Sequence, residues 1–128
     1  MSIIKFSAVG MPHLYHGLSP AVVIGTEPVG FIYASYDTML EIVGTPFELE
    51  DEESVRKMWC FASGEMKSIN RTVIAFYDFQ QNVPIDNVLK WNVSAKNTTM
   101  EKVIKYVRSR SDMHYRVKDN TLIITPKT

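Results

Sequence analysis

The sequence predicts an α+β fold, a mainly antiparallel sheet of five to seven strands with two helices packed on one face. Three observations predict it. The densest apolar run, residues 55–79, carries β-branched and aromatic residues on two arms, with Gly, Lys, Ser and Asn collected between them, as in a hairpin. Two other stretches space their apolar residues by three and four, the period of a helix. The resulting order is strands, short helix, hairpin, strand, helix, hairpin, without the regular alternation of a parallel α/β sheet.

In chain order, residues 2–9 read as a strand ended by Gly10-Met11-Pro12. Residues 13–20 hold too many turn formers for a regular element and read as a loop or arm, so that 1–28 is expected to be an extended N-terminal strand and arm. Within it residues 21–24 form a short strand. Residues 29–34 are the next. Ser35 then stands where an N-cap belongs, and Tyr36, Met39, Leu40 and Val43 make one apolar helical stripe, which Gly44 closes and Pro46 keeps from resuming. The acidic run Glu48-Leu49-Glu50-Asp51-Glu52-Glu53 reads as a solvated loop.

The hairpin 55–79 follows and is expected near the centre of the sheet. Met58, Cys60 and Ala62 point one way and Lys57, Trp59 and Phe61 the other, so both faces of this strand carry apolar groups. One face is expected to meet the helices and the other further chain or a partner. Residues 80–87 are a polar connection and 88–94 a strand. Thr98 and Glu101 have the spacing of a capping box, ahead of a stripe of Met100, Val103, Ile104 and Val107. That predicts a helix over 99–109, with Lys102, Lys105 and Arg108 on its solvent side. Residues 113–117 and 121–125, joined by Lys118-Asp119-Asn120, form a closing hairpin.

At 128 residues the chain is one domain, 1–128, and long enough to bury a core. Hydrophobic residues at 45% and charged ones at 22% exclude a disordered class. Fourteen cationic residues balance fourteen acidic ones, so no global field draws nucleic acid or membrane; neither is an expected partner unless a local patch supplies the charge. The beginning of the sequence has no basic stretch followed by an apolar one, and the expected location is the cytoplasm.

No phosphate loop, nucleophile elbow or zinc-protease helix is present, and an enzyme is not expected. Cys60 lies in a central strand, where a thiol is ordinarily packing. His13 and His16 share a segment, but zinc requires three or four ligands and no further Cys or His lies nearby. Neither metal nor cofactor is expected. The candidate binding residues are instead Trp59, Tyr77, Trp91 and Asn92, which offer rings and an amide, and Arg108 and Arg116, which with Arg110 and Lys118 make a basic patch for a phosphate or an acidic partner. Asp78 joins them because a carboxylate interrupts an otherwise apolar strand and demands a partner, for which Arg71 and Lys90 are candidates. Glu50, Asp51, Glu52 and Glu53 form an acidic patch that suits a basic partner.

Several short segments together resemble a family of small proteins encoded by bacteriophages and some large DNA viruses. They are Gly30-Phe31-Ile32, Ser35-Tyr36-Asp37, Val43-Gly44-Thr45-Pro46, Trp59-Cys60-Phe61, the strand Val73 to Phe79, and Trp91-Asn92-Val93-Ser94-Ala95-Lys96. That family typically has Phe-Gly-x-Pro at the helix end, an Ile-Tyr-Asp/Asn-Tyr strand and a Trp-x-Ile-Gly-Gly stretch. Here Val43 replaces the Phe, Phe79 the final Tyr, and Ser94 and Ala95 the glycines. Residues 89–126 also resemble the end of the small domain that precedes secretin and outer-membrane receptor barrels. The first resemblance, to a family without a settled function, implies viral origin; the expected role is that of an accessory protein that binds a host protein as an inhibitor or counter-defence factor. A sponge for a small nucleotide is the alternative, and a secretion-system or virion structural module a third. An uncovered apolar sheet face would imply a homodimer.

Overall fold

The structure is a computed structural model, and it describes residues 5–6, 11, 13–16, 25–48, 57–63, 71–78, 88–110 and 112–127. It is an α+β fold with a mostly antiparallel sheet and two helices. The strands are β1 (Lys5–Phe6), β2 (Leu14–His16), β3 (Glu27–Ser35), β4 (Phe47–Glu48), β5 (Lys57–Ala62), β6 (Val73–Tyr77), β7 (Val88–Lys96), β8 (His114–Lys118) and β9 (Thr121–Thr125); the helices are α1 (Tyr36–Val43) and α2 (Met100–Arg108). Eight strands run in the order β1-β2-β5-β6-β7-β3-β9-β8, and β4 pairs with β5 beside that path. Nine strands among the described residues exceed the five to seven expected. β1 falls within the expected strand 2–9, and the surplus comes from β2 and β4, three and two residues long, which are too short to show a period of two. Thus Leu14–His16, expected in a loop, is a strand held by Tyr15↔Ala62 and His16↔Phe61 pairing. Glu48, expected in a solvated loop, pairs with Lys57.

Residues 21–24, the hairpin connection 64–70, the linker 80–87 and the acidic residues Glu50 to Glu53 lie outside the described residues, as does most of the expected first strand. The hairpin arms themselves pair antiparallel as β5 and β6, with Trp59↔Phe76 and Phe61↔Ile74 in register. β7 then pairs with β6 on one side and β3 on the other. The one parallel pairing among the described strands joins β3 to β9 through Phe31↔Thr121, Ile32↔Leu122 and Tyr33↔Ile123.

Local chemistry sets the element ends. Ser35 is extended, and its Oγ accepts from the Thr38 N–H at 3.1 Å to start α1. Gly44 ends it at φ 81, a left-handed conformation that a side chain would resist, with its N–H donating to the Leu40 carbonyl. The cap of α2 is Thr99, one residue later than the capping-box spacing implied. Asn97 turns the chain at φ 60 after β7 and donates from Nδ2 to the Arg71 carbonyl, which leaves Thr99 extended with Oγ1 accepting from Lys102 N–H. Glu101 therefore sits beside the positive helix end and not at the capping-box position.

The core cluster contains Met39, Ile42 and Val43 of α1, and Val103, Ile104 and Val107 of α2. The strand side chains in it, including Ile32, Trp59, Phe61, Phe76, Trp91 and Leu122, all belong to one alternating set of the register. Trp59 and Trp91 meet edge to face with centroids 5.1 Å apart. Their indole N–H groups donate to the Gly44 and Ala34 carbonyls, both at 2.8 Å, so each buried ring has its polar atom satisfied at an end of α1. Gly30 marks the closest approach: a Cβ there would stand 2.2 Å from the Asn120 carbonyl oxygen, which accepts from the Phe31 N–H.

Candidate functional site

The alternate set of strand side chains forms the second face of the sheet. Where β5 and β6 contribute, that face is small and buried: Cys60, Ala75 and Ser94 lie together at 0%, 0% and 5% exposure. From Tyr77 outward its character changes. Direct register pairs run Tyr77↔Asn92, Asn92↔Phe31, Phe31↔Thr121 and Thr121↔Lys118, a row crossing five strands. The adjacent row runs Lys90, Tyr33, Ile123 and Arg116. The rings are half-buried, and Lys90, Arg116 and Lys118 are exposed.

Two interactions fix the surface of this patch. The Tyr77 hydroxyl meets Ser94 Oγ at 3.0 Å, one strand over, so the ring leans across the sheet instead of standing off it. The Lys90 ammonium lies 4.0 Å from the Phe31 ring centroid. No Asp or Glu occurs among the described strand residues of this face. Two acids elsewhere are engaged: Glu48 pairs with Lys57 at 3.0 Å and Asp112 with Lys127 at 2.8 Å, a hydrogen bond that holds the Asp112 carboxyl below its ordinary range.

Of the residues that the sequence singled out, Tyr77, Asn92 and Arg116 come together here. Trp59 and Trp91 do not: both are at 0% exposure in the core, where no ligand can reach their rings. Asp78 is buried at the end of β6, and Oδ1 accepts the Lys57 backbone N–H at 2.9 Å while its own N–H donates to the Lys57 carbonyl, so its partner includes backbone and it serves to tie the start of β5. Arg108 lies on α2 with its guanidinium 5.6 Å from the Tyr115 ring centroid. Tyr115 belongs to the opposite face from Arg116. Lys118, of the same basic patch as Arg108, Arg110 and Arg116, joins Tyr77 and Asn92 on the second face, whereas Phe31, Tyr33, Lys90 and Thr121 are site residues that sequence reasoning missed.

A second polar cluster surrounds Lys57, whose ammonium bonds Glu48 and lies 4.9 Å from the Tyr36 ring centroid. Burial pulls the Lys57 pKa down, but the Glu48 hydrogen bond and the charges of Tyr36, Glu48 and Asp78 outweigh it and raise it overall. Burial raises Tyr36 as well. This cluster fastens β4 and α1 to β5. Cys60 is buried, and desolvation pushes its thiol up to about 12, which removes the thiolate that nucleophilic chemistry requires. Among the described residues no three His, Cys, Asp or Glu side chains are grouped to hold a metal, and no helix is long and apolar enough to cross a membrane. The face around Tyr77 and Phe31 can stack planar groups, hydrogen-bond their edges through Asn92 and attract negative charge.

No protein-family model, curated protein or solved structure matches the chain.

Proposed function

We propose that the protein works by binding rather than catalysis, through the sheet face of Tyr77, Asn92 and Phe31, and that α1 and α2 both close the opposite face. The observation that carries this reading is the two-row patch in which three rings and three exposed cations stand without a described strand carboxylate among them. Such a surface favours an anionic partner with planar groups. The placement of both helices is supported by their sharing one core cluster with a single alternating set of strand side chains. It is supported further by the bond from Arg110 Nε to the Ile42 carbonyl, which ties the segment after α2 to α1. The resemblance of the segments around Trp59, Asp78 and Trp91 to phage and large-virus accessory proteins supports a virus-encoded chain that acts in the host cytoplasm on a host molecule.

The test uses the full chain as bait in a cell lysate with all macromolecules retained. Lys90→Glu with Arg116→Glu is expected to abolish recovery of the partner and to shift the melting temperature by only a few degrees, because both side chains are exposed. Equal recovery by this variant, or its loss on charge reversal of Glu50, Asp51 and Glu52 instead, overturns the assignment of the face.

A further inference from the structure

We infer that this second face is a docking surface for single-stranded nucleic acid, with bases laid on Phe31, Tyr33 and Tyr77 and phosphates met by Lys90, Arg116 and Lys118. The inference rests on the reading of the face as the binding surface and adds the class of partner. A sequence-neutral strand is bound by rings that offer a flat π surface and by cations that follow the backbone. Tyr77, drawn across the sheet by its bond to Ser94, offers such a surface, and Phe31 stands in the same cross-strand row with the Asn92 amide between them. An amide with two donors and an acceptor beside a stacked ring is positioned to meet a base edge. The Lys90 ammonium lies 4.0 Å from the Phe31 ring centroid, over the surface on which a base would stack. A base arriving on that ring displaces the ammonium toward the phosphate next to it.

The spread of charge decides between a strand and a single nucleotide. Lys90 on β7 and Arg116 and Lys118 on β8 are separated by three strand spacings, about 14 Å. A continuous backbone meets cations spread over that span without drawing their side chains together, which the phosphate cluster of one nucleotide would require. The sign of the charge decides the rest. The whole chain balances 14 cationic against 14 acidic residues, yet the described strand residues of this face include no acid. The described strand residues of the face thus carry cations without acids, the kind of local patch that nucleic-acid binding requires.

The experiment is fluorescence anisotropy of an end-labelled oligothymidylate of about 12 nucleotides with the full chain, titrated over a range of salt. Binding is expected at low salt, with log K falling against log salt at a slope of about −2 for three phosphate contacts. Arg116→Glu and Lys118→Glu, both at exposed positions, are each expected to weaken binding about tenfold and make the slope shallower. Phe31→Leu is expected to weaken it about tenfold at unchanged slope, which separates stacking from charge. Competition by ATP at equal concentration overturns the strand in favour of a mononucleotide. Absence of oligonucleotide binding, while Lys90→Glu with Arg116→Glu still releases a lysate partner, overturns the nucleic acid alone and indicates an acidic protein surface. Oligonucleotide binding that none of these variants weakens overturns both the partner and the face.

Discussion

Cys60 shows at the scale of one residue how burial becomes a measurable property. Its thiol lies at 0% exposure and is pushed from an ordinary 9.0 to about 12 by desolvation. An acid whose pKa rises on folding keeps its proton in the folded chain while the unfolded chain loses it. Stability from this group is therefore level below pH 9 and falls as pH rises from 9 toward 12, because the unfolded state then binds fewer protons. Denaturant melts of the natural chain and of Cys60→Ala are expected to converge and then cross in stability as pH rises through that window, and parallel curves would refute the shift. Below pH 9 the cysteine chain should be the more stable, by about 1 kcal/mol for the sulfur atom's lost packing. The same burial predicts that thiol reagents modify Cys60 only as the protein unfolds. Trp59 and Trp91 teach the complementary lesson. Their ring type suggested ligand stacking, but a ring with its N–H bonded to Gly44 or Ala34 at 2.8 Å and no exposed surface is a core post. Residue type is visible in a sequence; the side of the sheet is visible only once the neighbours' register is known.

At the scale of elements, both helices were legible because each combines an apolar stripe with a side-chain cap. The hairpin arms and the closing hairpin were legible from β-branched runs broken by polar residues. The short strands β2 and β4 were not, since two or three residues carry no period, and β4 is tied to β5 by the pairing of Glu48 with Lys57. The cap of α2 was misplaced by one residue for a definite reason: Thr98 and Thr99 are chemically alike, and only the turn at Asn97 decides which hydroxyl meets the helix. Thr99→Ala is accordingly expected to cost about 1 kcal/mol in denaturant unfolding. Thr98→Ala should cost less than about 0.5 kcal/mol. A reversed order would restore the capping box. The candidate site was legible to the extent of Tyr77, Asn92, Arg116 and Lys118. Phe31 and Tyr33 escaped because β3 pairs with β9, a partner some ninety positions later that no local pattern announces.

For the whole molecule, the register links distribute stability unevenly. β6 and β7 lie inside the sheet with partners along most of their lengths, whereas β2 joins β5 by two register pairs and carries β1 beyond it. Amide exchange is expected to be slowest in β6 and β7, at the free energy of global unfolding, and faster in β2 through local opening. Uniform protection across these strands would contradict that order. The parallel seam of β3 with β9 has a different consequence, which concerns birth rather than equilibrium. On a ribosome, β3 emerges well before β9 has been made, and its seam with Leu122 stays open throughout that interval. Gly30, Ile32 and the bare backbone beside them then form a template that any passing strand can join. The closing hairpin is thus the chain's own late-arriving guard against mispairing, and the time needed to translate it sets how long a nascent copy must be kept from its neighbours.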